Sequence, residues 1–264
     1  MSVLTLRQAP PERLDFLNIA PLALSGLSQA EAERLPVGTT RRGLVLGDCF
    51  SVALDHSDTL TIEGGHARLD RVGAALAEGA IHVVGDVGQR LGEGMAGGTL
   101  TVSGDAGPFA GAGATSGTIT IAGDAGDHCG GAVYAAKAGL DGATLIVKGA
   151  AGRHLGDRMR RGLILVERAG DYAGSRMLAG TIAAVSVGDH PGYGMRRGTL
   201  LVGSHGRLTP TFVETGRHDL VFLRLLARAL RPLSLRHAGL AAGALRRYSG
   251  DLATIAKGEI WASA

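Results

Sequence analysis

The residues best able to do chemistry recur at a regular spacing and form one column. They are Arg90, Phe109, His128, His154, Tyr172 and His190. Imidazoles that converge on one ion at about 2.1 Å can bind zinc. A column that mixes histidine with arginine and phenylalanine is not built to converge in that way, so the sequence predicts no metal site. It favours a stacked structural ladder or a stripe that binds a partner.

Cys129 follows His128 directly and raises the question of a nucleophilic thiol. Such a thiol needs a base within hydrogen-bond reach, whereas adjacent side chains of an extended chain point to opposite faces. The column that contains Cys129 is small and apolar: Leu91, Ala110, Cys129, Leu155, Ala173 and Pro191. Cys129 is therefore predicted to be a buried filler. No paired carboxylates and no Ser/His/Asp order stand out either, so no catalytic residue is predicted.

The segment Gly92-Glu-Gly-Met-Ala-Gly97 matches the GxGxxG pattern of dinucleotide-binding loops. That pattern indicates a dinucleotide-binding site only when a strand precedes it and a helix follows it. Here the glycines belong to a longer repeat and a strand follows, so we predict no dinucleotide site.

Two arginine pairs are the candidate contacts for a ligand. They are Arg160-Arg161 and Arg196-Arg197, and each stands just before a corner glycine of the repeat. Guanidinium groups bind carboxylates of a partner or of a polyanionic ligand well, and the alternative is a solvated edge. The interleaved aromatic residues typical of single-stranded nucleic-acid sites are absent from these pairs, so no nucleic acid is predicted.

A glycine repeat must position all these residues. Each unit has a glycine, a second glycine four residues later and a third glycine usually six residues further on, and the units are 18 to 20 residues long except where 131–141 holds a six-residue insertion. The glycine columns are Gly88, Gly107, Gly126, Gly152, Gly170, Gly188; Gly92, Gly111, Gly130, Gly156, Gly174, Gly192; and Gly98, Gly117, Gly142, Gly162, Gly180, Gly198. Met95, Met159, Met177 and Met195 all lie three residues before the third glycine.

Short β-branched runs follow the third glycine, for example Thr99-Leu-Thr-Val102. Glycine adopts left-handed corner conformations without steric cost. One short strand with three glycine corners is typical of a coil in a parallel β-solenoid, whose coils pair at about 4.8 Å spacing and are stable only when stacked. The predicted fold class is therefore all-β, a single-stranded parallel β-helix with a cap at each end.

The two ends of the chain break the repeat. We predict an N-terminal cap and first coil over residues 1–57, the β-helix over 58–208, and a helical C-terminal tail over 209–264. Ser28-Gln-Ala-Glu31 reads as a capping box that opens a short helix. Residues 219–231 place leucines on one helical face and arginines mostly on the other, and Pro232 ends that helix.

The amino-acid composition limits the possible folds and cellular compartments. The 264 residues include 43 glycines and only 4% aromatics, which suits a fold of many small, closely stacked layers. Two cysteines suggest neither a disulfide framework nor a CxxC site, so a reducing cytoplasm is expected. No signal-peptide core or membrane span is recognisable.

The coil pattern resembles the C subunit of formylmethanofuran dehydrogenase. The corners Met-Arg-Arg-Gly and Met-Leu-Ala-Gly carry the resemblance, with the closing Tyr248-Ser-Gly-Asp-Leu and Lys257-Gly-Glu-Ile-Trp. The chain is more distantly similar to the C-terminal β-helix domain of the glutamate synthase large subunit. The resemblance implies that the β-helix is right-handed and that the protein holds no metal, cofactor or catalytic residue of its own. It would support neighbouring hydrolase-like, transferase and molybdopterin-like subunits.

That family has an archaeal branch, which reduces CO2 at a tungsten or molybdenum site, and a bacterial formyltransferase/hydrolase branch. The arginine-rich, lysine-poor composition favours the bacterial branch. The resemblance then implies a non-catalytic scaffold in a complex that moves formyl from a tetrahydromethanopterin-type carrier to methylofuran and hydrolyses it to formate. Carriers in this family bear glutamate-rich tails, which makes the arginine pairs candidate anchors. The alternatives are the C subunit of a tungsten or molybdenum formylmethanofuran dehydrogenase, a glutamate-synthase-type domain, and a freestanding polyanion-binding solenoid.

Overall fold

The computed structural model describes residues 1–55 and 57–263 and is mostly β. Its strands are β1 (Ser2–Leu6), β2 (Leu14–Asp15), β3 (Phe50–Ala53), β4 (Thr59–Gly65), β5 (Leu69–Asp70), β6 (Ala80–Gly85), β7 (Thr99–Val102), β8 (Thr118–Ile121), β9 (Asp141–Ala151), β10 (Arg161–Ala169), β11 (Thr181–Val187), β12 (Arg197–His205), β13 (Val213–His218), β14 (Leu245–Gly250) and β15 (Lys257–Ala262). Its helices are α1 (Pro21–Leu24), α2 (Gln29–Glu33), α3 (Leu46–Cys49), α4 (Val221–Leu230) and α5 (Leu235–Leu240).

Within the described residues, one large sheet of 13 strands runs in the order β13-β14-β15-β12-β11-β10-β9-β8-β7-β6-β4-β1-β3. Strands β6 to β12 follow one another in chain order and pair in parallel. Within this sheet, antiparallel pairing is confined to the two ends, at β1–β3, β13–β14 and β14–β15. The predicted all-β class is confirmed to the extent that the chain is mostly β. A small second sheet joins β2 to β5.

One face of the large sheet carries the main core. Leu100, Ile119, Leu145 and Ile164 occupy the same register on β7 to β10 and are fully buried. Each repeat thus contributes the same aliphatic layer, and the stacked layers replace the large aromatic fillers that the sequence lacks. The four methionines of the repeat lie in this core, and the Met177 Cε approaches the position that a Cβ on Gly198 would occupy. Met95 and Met159 contact Gly117 and Gly180 in the same way.

A second line of parallel bridges, Val87 to Ala106, Ala106 to Ala125 and Ala125 to Ala151, joins the repeats away from the strands. Aspartates reinforce it, because Asp105 Oδ1 accepts a hydrogen bond from the Asp124 N–H at 2.7 Å. The Asp86 and Asp124 carboxylates act in the same way one repeat earlier and later. The Asp105 carboxylate lies where Gly123 lacks a Cβ, so glycine is required at that position.

The tail packs on the outer face of the large sheet. Leu165, Ala183, Leu201 and Trp261 form a row across β10, β11, β12 and β15, and Leu223 and Leu230 of α4 belong to the same buried cluster. The Nε2 atom of His237 in α5 lies 2.9 Å from the Val166 carbonyl oxygen, so it donates a hydrogen bond there and ties α5 to β10.

The prediction of a helical tail is wrong in part. The predicted helix over 219–231 is present as α4, but β13, β14 and β15 also belong to the tail and extend the sheet. The sequence did not predict these strands, because they lie outside the glycine repeat and their pairing is set by tertiary contacts. At the other end, the capping box of Ser28 and Glu31 at α2 is confirmed. Within the described residues, no helix combines the length and the apolar character that crossing a membrane requires.

Candidate partner-binding surface

The predicted column, which we call the ladder (Arg90, Phe109, His128, His154, Tyr172 and His190), forms a continuous stack of five rings from Phe109 to His190. The ring centroids of Phe109 and His128 lie 5.0 Å apart, those of His128 and His154 4.8 Å, and those of His154 and Tyr172 5.1 Å, with interplanar angles of 11° or less. Tyr172 and His190 continue the stack at 5.4 Å with a tilt of 34°. Each ladder residue is half-buried, so the ladder reaches the surface in part.

The ladder residues hold a backbone conformation that non-glycine residues rarely adopt. Their φ angles lie between 56° and 63°, and such a residue costs about 1–3 kcal/mol. Glycine would avoid this strain. The Nδ1 atoms of His128 and His190 are also buried, without a hydrogen-bond partner in the described part of the chain. The sequence keeps large side chains at strained corners, so these side chains serve a purpose that the corner itself does not require.

The neighbouring column points into the core, as predicted. Leu91, Ala110, Cys129, Leu155 and Ala173 are fully buried. Burial raises the pKa of the Cys129 thiol to about 12, so the nucleophilic thiolate is scarce at neutral pH. Cys129 is confirmed as a buried filler.

A partly buried ionic network supports the middle of the ladder. The Asp157 carboxylate accepts hydrogen bonds from Arg176 Nε at 2.9 Å and Nη2 at 2.6 Å, and from the Ser175 hydroxyl at 2.8 Å. Ser175 gives its only proton to Asp157, so its oxygen accepts from His154 Nδ1 at 3.3 Å. In the neutral ring this arrangement places the proton on His154 Nδ1 and leaves Nε2 unprotonated. Ser175 is buried, so the network positions the ladder and presents no accessible nucleophile.

This network could not be predicted from the repeat. Arg176 follows Asp157 by 19 residues, one more than the 18-residue repeat from Gly156 to Gly174, so the two residues lie in adjacent units. The signal was an aspartate directly after Gly156 and an arginine two residues after Gly174. No other unit repeats the pair, so the two residues do not stand out as a column of the repeat.

The pH dependence of stability should report on His154. Burial is the main cause that lowers the pKa of His154. The neighbouring His128 lowers this pKa further, as do Arg153 and Arg176, whereas Asp157 raises it. A folded pKa below the unfolded value makes the native state bind fewer protons, so stability falls as the pH drops below about 6.5. His154→Phe keeps a ring in the stack and removes this titration. We expect its urea midpoint to fall less than that of the wild type between pH 7.5 and 5.5. Equal falls would contradict this assignment.

The insertion lies beside the ladder. The Tyr134 ring stands 5.8 Å from Phe109 and its residue is 88% exposed. Arg158 Nη1 donates to the Ala136 carbonyl at 3.0 Å and fixes the insertion to the next repeat. A cavity of about 230 Å³ opens between the insertion, Phe109 and Arg158. Further along, Tyr193 is 51% exposed and meets Tyr172 edge to face.

The arginine pairs are not equivalent. Arg160 and Arg161 both turn to Asp141, at 3.5 and 2.9 Å, so this carboxylate of the insertion partly neutralises them. Arg197 instead lies beside Lys257 in the register of β12 and β15. Arg196 and Arg197 are exposed and have no ion-pair partner within residues 1–55 and 57–263.

Metal binding has no candidate ligand set in the described part of the chain, where no group of three His, Cys, Asp or Glu side chains is placed to hold an ion. The ladder histidines stack face to face, so their nitrogens point along parallel planes and do not converge.

Comparisons with known proteins show what the chain is similar to. No protein-family model matches the chain. The chain is 70% identical, over 265 residues and the full length of both proteins, to the C subunit of the formyltransferase/hydrolase complex Fhc of Methylorubrum extorquens. It is also similar to a chain in the X-ray crystal structure of the formyltransferase/hydrolase complex FhcABCD from Methylorubrum extorquens in complex with methylofuran. That similarity has a TM-score of 0.98 and 70% identity and covers 99% of both chains.

Proposed function

The chain belongs to the family of C subunits of formyltransferase/hydrolase complexes, and from this premise we propose that it is the non-catalytic scaffold of such a complex. Neighbouring hydrolase-like, transferase and molybdopterin-like subunits would transfer formyl from a tetrahydromethanopterin-type carrier to methylofuran and release formate. The carriers would bind to those subunits in the cytoplasm. Identity of 70% over the full length favours this branch over a tungsten or molybdenum dehydrogenase and over a glutamate-synthase-type domain.

We further propose that residues 58–208 wind into a right-handed parallel β-helix between the cap and first coil of 1–57 and the tail of 209–264. Three features support the winding. The strands of successive repeats pair in parallel in chain order, and a second line of bridges runs from Val87 to Ala151 with one residue per repeat. Left-handed residues recur at the corner between the two lines.

The ladder carries the proposed scaffold role. It presents a rigid, half-exposed stripe of rings flanked by Tyr134 and Tyr193, and protein interfaces are enriched in such aromatic residues at their centres. The ladder residues occupy corners of the chain with strained φ angles near 60°. The face is fixed from below by the network of Asp157 and Arg176. A rigid face of this kind can hold two other subunits at a constant separation.

The test is to express the complex with and without this chain. Without it, we expect the other subunits to fail to co-purify as one assembly and formyl turnover to fall. A second arm uses Tyr134→Ala, which should raise the dissociation constant of the assembly by about 30-fold, the size of a 2 kcal/mol hot spot. The matched control is Leu22→Ala, at a 65% exposed residue outside the ladder. Equal assembly and equal turnover without the chain would overturn the scaffold role.

We also propose that Arg196 and Arg197, more than Arg160 and Arg161, contact carboxylates of a partner or of a polyanionic ligand. The first pair has no neutralising carboxylate in the described residues, whereas the second pair shares Asp141. Binding of polyglutamate to the purified chain should be salt-sensitive. It should weaken with Arg196→Gln/Arg197→Gln more than with Arg160→Gln/Arg161→Gln, and an equal loss would contradict the ranking.

A further inference from the structure

The helix α4 has apolar residues on two opposite faces. Leu223 and Leu230 face the sheet and are fully buried. Val221, Phe222 and Leu225 lie on the other side and are 67%, 43% and 60% exposed. At 3.6 residues per turn, Val221 and Leu225 are one turn apart on the same side. Packing against the sheet does not explain this second apolar face, which we call the outer stripe (Val221, Phe222 and Leu225).

Arginines border the outer stripe. Arg224, Arg228 and Arg231 line a cleft of about 470 Å³ between α4 and α5, which small residues such as Ala227 and Ala238 also line. Arg224 is paired with Asp219 at 2.8 Å. Arg228 and Arg231 have no carboxylate within ion-pair distance in the described part of the chain.

The carboxylates of the tail are already occupied. Glu214 pairs with Arg246, Glu259 with Arg247, and Asp251 is buried and accepts the Gly194 N–H at 2.9 Å. The tail therefore offers apolar side chains beside free guanidinium groups. A partner that covers this surface must supply apolar groups beside carboxylates.

We propose that the outer stripe and the adjoining arginines dock an acidic amphipathic helix of a neighbouring subunit. The inference rests on the proposed role as a scaffold within a complex. An amphipathic helix in a groove matches apolar side chains one turn apart and charged flanks. A second copy of this chain does not fit, because it would bring Arg228 and Arg231 against their own counterparts.

The experiment replaces one residue of the stripe in the whole complex. Leu225→Asp removes an apolar contact and places a negative charge against the acidic partner, and its exposure means that folding should not suffer. We expect at least a tenfold rise in the dissociation constant of the assembly. Arg228→Gln/Arg231→Gln should weaken the assembly in a salt-dependent manner. Leu22→Asp, at an exposed residue elsewhere, is the matched control, and circular dichroism checks that each variant is folded.

A photo-crosslinking amino acid in place of Val221 then identifies the occupant. We expect a crosslink to a peptide of another subunit that carries Asp or Glu beside apolar residues. A crosslink to a second copy of this chain would overturn the proposal. So would binding of the intact complex to phosphatidylglycerol vesicles that Leu225→Asp abolishes. If Leu225→Asp leaves assembly unchanged while Tyr134→Ala weakens it, the docking proposal fails and the scaffold role stands.

Discussion

Trp261→Ala is expected to lower the free energy of unfolding by about 3–5 kcal/mol, the usual cost of deleting a large buried aromatic side chain. Trp261 is fully buried and is opposite Leu201 in the register of β15 and β12. It fills the layer between the sheet and α4, and its Nε1 donates to Glu259 at 3.1 Å. The alanine variant would leave a cavity under the helix.

We expect the tail of Trp261→Ala to unfold locally before the whole chain unfolds. We expect trypsin to cleave α4 at Arg224 or Arg228 in Trp261→Ala under conditions in which the wild type resists. Trp261→Phe retains most of the ring volume and serves as the control, with a smaller loss in urea unfolding. If trypsin cleaves the alanine variant and the wild type at equal rates, Trp261 does not hold the tail on the sheet.

The sequence contained the reason for this contact, although the repeat obscured it. The run Thr118-Ile-Thr-Ile121 alternates polar and apolar residues, whereas Leu163-Ile-Leu-Val166 is apolar throughout. Alternation is typical of a strand with one solvated face, and a continuous apolar run of a strand buried on both faces. Because all the runs share one position of the repeat, the sequence pattern predicts equivalent strands for them. The difference marks the strands that the tail covers.

The ladder could be predicted because one spacing places its members in a column, and the inward column beside it could be predicted for the same reason. Contacts that occur only once could not be derived in this way. Asp141 neutralises Arg160 and Arg161 because the insertion brings its carboxylate to them, and the path of an insertion follows no period. The strands of the tail likewise obey no repeat. Periodicity thus predicted the regular layers of the molecule and left out the irregular parts that differentiate one layer from the next.

Arg176→Met is expected to cost about 3–5 kcal/mol, because it leaves a buried carboxylate without its cation. The Asp157 side chain is only 3% exposed, whereas that of Arg176 is 47% exposed. The two partners are therefore not equivalent: Asp157 cannot return to water without unfolding, but Arg176 can. Asp157→Asn should cost less, about 1–3 kcal/mol for a disturbed buried hydrogen bond, and the double variant should recover part of the loss of Arg176→Met.

Urea unfolding of the two single variants and the double variant measures this asymmetry. The same network holds His154 through Ser175, so Arg176→Met should also loosen the ladder and weaken assembly, even though Arg176 is not itself a ring of the stack. Leu225→Asp, in contrast, should weaken assembly with no loss in unfolding free energy. Equal losses for Arg176→Met and Asp157→Asn would mean that burial of the carboxylate does not control the network, and the ladder would then depend on ring stacking alone.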